Sequence, residues 1–146
     1  MKKFLLASFI VILTTMTITA KDIYSRNASD LPSAAQTVLM NNFKSKVSVI
    51  KIEKSLTGVS EYEVILSDGT EISFDREGNW KNVEVSLKKK VPDSIVPATI
   101  LEYIKKNNKG KKIVGIEKNR NYYEVELENG IELKFDRAGN FKRYDD

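Results

Sequence analysis

The sequence predicts an α+β protein. It is expected to hold two tandem helix-plus-four-strand repeats, their strands forming one antiparallel sheet of about eight strands with both helices on one face. Three observations carry this. Glu61–Lys81 and Tyr122–Lys142 align without a gap at an offset of 61, with 12 of 21 positions identical, and a fixed period of this kind marks a repeated structural unit. Within each segment, apolar residues alternate with polar ones, as in a half-buried strand. Ahead of each segment, a proline (Pro32, Pro97) opens a stretch with apolar residues at helical spacing.

From the N-terminus, Met1–Ala20 has the form of a secretory signal: Lys2 and Lys3, an uncharged apolar run over Phe4–Ile18, and a small-residue end at Thr19-Ala20. The alternative is a membrane anchor, but the run is shorter than the roughly 20 residues that cross a bilayer. Cleavage leaves 126 residues and lowers the formal charge from +4 to +2. The chain has no cysteine, so the exported fold depends on its core alone, which this length can supply. The expected organisation is signal peptide 1–20, flexible lead-in 21–30, first repeat 31–86, linker 87–96 and second repeat 97–146.

In the first repeat a helix is expected over 32–43, with Ala35, Val38, Leu39 and Phe43 on one stripe. Strands follow at 49–54, 61–67, 70–75 and 79–85. The second repeat reads 97–108 for the helix, with Ile100, Tyr103 and Ile104 inward, then strands at 113–118, 122–128, 131–136 and 140–144. Turn length follows from the pleat. A two-residue Asp68-Gly69 loop would split the apolar residues between the two faces. A three-residue loop pairs Leu66 with Thr70, Val64 with Ile72 and Tyr62 with Phe74, and puts Gly69 in the left-handed bulge position. Leu127, Val125 and Tyr123 meet Ile131, Leu133 and Phe135 in the same way. Loops 76–78 and 137–139 then pair Phe74 with Trp80 and Phe135 with Phe141. Val83 and Val85 are out of step with Trp80; a bulge would repair this, and the sequence leaves it open. The aromatic sets Tyr62/Phe74/Trp80 and Tyr123/Phe135/Phe141 are expected beneath their own helices.

The chemical inventory is narrow. With no histidine and no cysteine, imidazole acid–base catalysis, the common nucleophile dyads and ordinary zinc sites are excluded. No glycine-rich phosphate or dinucleotide motif is present. No cofactor, no metal and no catalytic residue is expected. Asp75-x-x-Gly78-Asn79 and Asp136-x-x-Gly139-Asn140 invite a calcium reading, but an EF-type loop needs further oxygen ligands and a late glutamate; aspartate and glycine serving a turn account for them. Lysines 105, 106, 109, 111 and 112 form a basic patch at the end of the second helix. It suits the helix dipole and a solvated surface; nucleic-acid binding is the sharper reading, and attraction to an anionic membrane surface or to polysaccharide is a further one. Export and low net charge argue against nucleic acid.

The repeated Tyr-Glu-Val, Asp/Asn-Gly and Phe-Asp-Arg-x-Gly-Asn elements resemble the PepSY-like family of periplasmic proteins of Gram-negative bacteria. The resemblance spans the mature chain and implies a fold like that of β-lactamase inhibitor protein, two repeats forming one concave sheet. It also implies an inhibitory role, since PepSY domains proper are associated with peptidase propeptides and with restraint of proteases. It transfers no site residue, and the absence of cysteine departs from the disulfide-bearing inhibitor.

The expected function is therefore non-catalytic binding of a protein partner in the periplasm, with no nucleic acid and no stable membrane insertion after signal cleavage. The face opposite the core would carry it, through Glu63, Ile65, Glu71, Ser73, Tyr122, Glu124, Glu126 and Lys134. Charged groups mixed with aromatic and aliphatic ones suit a protein interface. The alternatives are an inhibitor of a secreted protease or β-lactamase, plugging an active site with the Asp68-Gly69 or Asn129-Gly130 tip, and a small-ligand or envelope-structural protein.

Overall fold

The computed structural model describes residues 21–145. The expected signal peptide lies outside the described residues. The elements run β1 (Ile23–Ser25), a single 3₁₀ turn at Ala28–Asp30, α1 (Ser33–Asn42), β2 (Val47–Ser55), β3 (Gly58–Leu66), β4 (Glu71–Asp75) and β5 (Trp80–Glu84). They continue with α2 (Ala98–Asn107), β6 (Ile113–Lys118), β7 (Tyr122–Leu127), β8 (Glu132–Asp136) and β9 (Phe141–Asp145). The strands form one antiparallel sheet in sequence order. It has nine strands among the described residues, rather than about eight. The additional one is β1, in the stretch expected to be a loose lead-in. Its backbone pairs with Ile50–Ile52, and Asp22 reaches the buried Lys51.

The hairpin registers follow the pleat argument. Val64 lies opposite Ile72 and Tyr62 opposite Phe74. Val125 and Tyr123 lie opposite Leu133 and Phe135. Gly69 and Gly130 take φ values of 83° and 81°. The open question in the fourth strand resolves as a bulge: Phe74 pairs with Trp80, whereas Ile72 pairs with Val83, which leaves Lys81 as the extra residue. Val83 thereby turns inward and is fully buried.

One apolar row crosses the sheet in cross-strand register: Ile50, Val64, Ile72, Val83, Ile116, Val125 and Leu133. All are at most 2 % exposed. Ala35 and Leu39 of α1, and Ile100 and Ile104 of α2, belong to the same buried cluster. At one margin Tyr103 of α2 stacks on Phe141 at 4.6 Å and meets Phe135 edge-on at 5.4 Å. The first aromatic set is less enclosed. Phe74 is fully buried, but Tyr62 and Trp80 are only partly so, and the Lys118 ammonium, 4.2 Å from the ring centre, lies over Trp80.

The shared Asp-Arg-x-Gly-Asn turns do more than reverse the chain. Asp75 Oδ1 accepts from the Glu77 and Asn79 amides, and Asp136 Oδ1 accepts from those of Ala138 and Asn140. The carboxylates are thus occupied by turn donors. These turns also abut the starts of the helices. A Cβ added to Gly78 would fall 2.8 Å from Pro32 Cβ and 2.9 Å from the Ala35 amide nitrogen; one added to Gly139 would fall 2.9 Å from Thr99 Cβ. Gly69 has open space around it.

Two stability predictions follow from this packing. Gly78→Ala should cost about 3 kcal/mol or more, since left-handed strain adds to a clash with backbone, while Gly69→Ala should cost only the strain of about 1–2 kcal/mol. Phe135→Ala should cost about 3–5 kcal/mol. Urea denaturation of the three variants checks both; equal losses at Gly78 and Gly69 would contradict the seating of the turn.

Candidate functional site

Alternation along the strands places the residues between those of the apolar row on the opposite face. Glu63, Ile65, Glu71 and Ser73 form one group, Glu63 opposite Ser73 and Ile65 opposite Glu71. Tyr122, Glu124, Glu126 and Lys134 form another, Glu124 opposite Lys134 and Glu126 opposite Glu132. All eight are half-buried. The groups do not touch: β5 and β6 lie between them and contribute Asn82, Glu84, Gly115 and Glu117, in the pairs Asn82–Glu117 and Glu84–Gly115. Sequence reasoning missed this middle because the phase of β5 was open. Once Lys81 is the bulge residue, Asn82 and Glu84 must face away from Val83.

A row of acidic residues results. In cross-strand register, Glu71 lies beside Glu84, Glu84 beside Gly115, Gly115 beside Glu126, and Glu126 beside Glu132. Gly115 contributes no side chain, and a Cβ there would stand 3.5 Å from Glu126 Cβ and 3.8 Å from Glu84 Cγ. Glu84 and Glu126 therefore flank bare backbone. A shallow depression of about 300 Å³ lies over β3–β6, lined among others by Glu63, Glu71, Asn82, Glu84 and Glu117.

Elsewhere on the face cations meet several of the acids, while the Glu117 carboxylate, among the described residues, accepts only from the Asn119 side-chain amide. Lys51, buried at the β2 end, is within ion-pair distance of Asp22, Glu53 and Glu63. Burial works against its ammonium, but these carboxylates outweigh that and raise its pKa. Lys134 pairs with Glu124 at 2.9 Å and sits 3.9 Å from the Tyr122 ring centre. Lys81 pairs with Glu61 at 2.8 Å. Among the described residues no cation pairs with Glu71, Glu84 or Glu126. Burial, then the charges of Glu71 and Glu126, push Glu84 up to about 7. Burial also raises Glu71, and burial with the charge of Glu132 raises Glu126. Near neutrality the row can hold a proton and attract cationic groups. Among the described residues no group of three or more acidic side chains is arranged to hold a metal ion.

Of the two hairpin tips expected to plug an active site, the first is tied down. Asp68 accepts from Ser45 Oγ at 2.7 Å and from the Thr70 amide at 3.0 Å, and Lys89 pairs with it. Burial opposes its charge, but these contacts with Lys89, Thr70 and Ser45 hold the carboxyl well below its usual range. The Asn129-Gly130 tip is exposed. The β2–β3 tip was missed. The pairs Lys54–Val59 and Ser55–Gly58 extend β2–β3 past the residues that β1 and β4 engage, and Leu56 at its end is fully exposed.

A family model described as "Putative beta-lactamase-inhibitor-like, PepSY-like" matches residues 60–143, from β3 to β9. The chain belongs to the PepSY-like family. Solved structures resemble it closely. A "putative periplasmic protein of unknown function" from Bacteroides vulgatus is 40% identical, with a TM-score of 0.80, over 86% of this chain and 100% of that one. A "putative calcium-regulated periplasmic protein" from Bacteroides thetaiotaomicron is 35% identical, with a TM-score of 0.78, over 86% of this chain and 97% of that one. A second "putative periplasmic protein" from B. vulgatus is 33% identical, with a TM-score of 0.78, over 86% of this chain and 98% of that one. No curated protein matches the chain. None of these comparisons indicates a catalytic family. Among the described residues no helix is long and apolar enough to cross a membrane.

The acidic row predicts a pH signature. A carboxyl whose folded-state pKa lies above its unfolded value favours folding fully below the unfolded pKa, near 4.5, and loses that contribution as pH rises through about 7. Glu84→Gln should match the wild type near pH 4.5 and exceed it at pH 8 by about 1–2 kcal/mol, allowing for solvent screening. Melting curves across that range measure it; a constant gap at all pH values would show that Glu84 ionises normally.

Proposed function

We propose that this PepSY-like protein is a non-catalytic periplasmic binding protein, exported by its N-terminal segment, that receives a basic protein partner on the carboxylate-bearing face of its sheet. In this reading both helices cover the opposite face, so that two tandem repeats make one uninterrupted binding surface. The observation that carries it is the row Glu71, Glu84, Glu126: half-buried carboxylates in register with no cation among them. Unpaired carboxylates of this kind cost stability, and a partner's lysine or arginine would recover it. Asn82, which lines the depression, has its Oδ1 buried with no donor and offers one more acceptor.

Affinity should rise from pH 6 to pH 8 as Glu84 gives up its proton. Immobilised protein is used to capture partners from periplasmic extract, alongside Glu71→Gln/Glu84→Gln/Glu126→Gln. A partner held by the wild type, eluted by salt and lost from the triple variant supports the reading. A partner retained equally by both proteins refutes it. A hydrolase as that partner would make the role inhibitory, with the Leu56 arm available to enter a cleft.

One second reading, a response to calcium, comes from the name of the B. thetaiotaomicron neighbour, although no group of three or more acidic side chains among the described residues is arranged to hold the ion. Calorimetric titration with calcium separates the two. Binding lost in the triple variant, with no protein captured, would favour the ion.

A further inference from the structure

The lysines single out a different surface. Lys44 and Lys46 follow α1, and the Lys46 carbonyl accepts from the Ser67 amide at 2.8 Å. Lys88, Lys89 and Lys90 lie in the linker, where Lys89 pairs with Asp68 and Val91 donates to the Ile113 carbonyl at 2.8 Å. Lys105 and Lys106 lie in the last turn of α2, and Lys109, Lys111 and Lys112 lie between α2 and β6, where the Lys112 carbonyl accepts from the Glu128 amide at 2.9 Å. These contacts gather ten exposed lysines at one end of the molecule, although they come from three separate stretches of chain. The carboxylates in the loops and helix there are Asp68, Asp93, Glu128 and Glu102, and the row Glu71, Glu84 and Glu126 lies at the same strand ends on the sheet face. The first three are each paired with one of these lysines, and seven lysines have no ion pair among the described residues. The surplus of lysines makes the linker–α2 side of this end positive.

Apolar groups accompany the charge. Leu87, 61 % exposed, directly precedes Lys88–Lys90, and Met40, 75 % exposed, lies one turn before Lys44. Between the linker, α2 and the start of β6 is a cleft of about 280 Å³. Its rim carries Lys90, Lys105, Lys111 and Lys112, and Val91, Leu101, Ile104 and Ile113 also line it.

We propose that this end is a docking surface for a bilayer bearing anionic phospholipids, on which the protein adsorbs without inserting. Each lysine near such a surface strengthens adsorption severalfold. Projecting aliphatic side chains among the cations match the headgroup boundary. A cationic rim over apolar walls suits a phosphate attached to a glycerol ester, and charges spread over a whole end suit a planar array better than one small anion. The acidic row borders the separate depression over β3–β6 rather than the cleft, so it can stay open to another ligand while the cleft meets the lipids. The inference stands independently of the proposed partner on the sheet.

The test uses protein exported to the periplasm and purified from it, sedimented with phosphatidylcholine vesicles with and without phosphatidylglycerol. The wild type should sediment with the anionic vesicles only and be released by high salt. Lys88→Gln/Lys105→Gln/Lys111→Gln should bind at least about tenfold more weakly, and Leu87→Ser/Met40→Ser severalfold more weakly. The salt titration of the wild type provides the same discrimination without substitution, should a variant fold poorly. Equal sedimentation with neutral and anionic vesicles, salt-insensitive binding, or full binding by the lysine variant overturns the proposal. So does capture by soluble heparin or inorganic phosphate with none by vesicles, which would mark a site for soluble anions.

Discussion

The contact between each Asp-Arg-x-Gly-Asn turn and the start of a helix is the constraint on which the rest depends. Gly78 lies against Pro32, Ala34 and Ala35, and Gly139 against Thr99 and Ile100. A side chain at either glycine would push the helix away from the strands. The aspartate closes the turn from below by accepting two backbone amides, and the asparagine amide donates back to the same carboxylate. One short motif therefore sets the turn, the approach of the helix and the depth at which Phe74 and Phe135 are buried. Such a motif cannot drift far without loss of packing, which gives a physical reason for its close match between the two halves of the chain.

With the apolar row committed to one side, the period of two sends every alternate residue to the other. That side is built from glutamates, and the protein neutralises them unevenly. Lys51 and Lys134 are placed where they serve several acids each. The central strands β5 and β6 bring no cation to Glu84, and Gly115 removes even the bulk that would separate it from Glu126. A buried core of more than twenty apolar residues can offset that repulsion. Lysines instead collect where the linker, the last turn of α2 and the hairpin ends meet. There they complement the negative end of the helix dipole but exceed what that purpose requires. The result is a molecule with charge of opposite sign on two surfaces.

Much of this architecture was legible in the residues. The period-two pattern and the glycines at 69, 78, 130 and 139 determined the loop lengths, hence the register of both hairpins and the face assigned to each of the eight candidate residues. The absence of histidine and cysteine determined which chemistries the chain cannot perform. The end of the α2 stripe, rich in lysine, already marked a cationic surface. What tertiary structure alone decided involves residues distant in sequence. Whether Ile23–Ser25 forms a strand depends on the free edge of β2, because three residues have too little local preference to order themselves. The inward turn of Val83 depends on a bulge that pairing with β4 imposes. The acidic row needs β5 beside β6, so that Glu84 and Glu126, 42 positions apart, share one line across the sheet. Local sequence specifies alternation and turns through backbone sterics; which alternating residues become neighbours is set by strand order, and that exists only once the sheet has closed over its core.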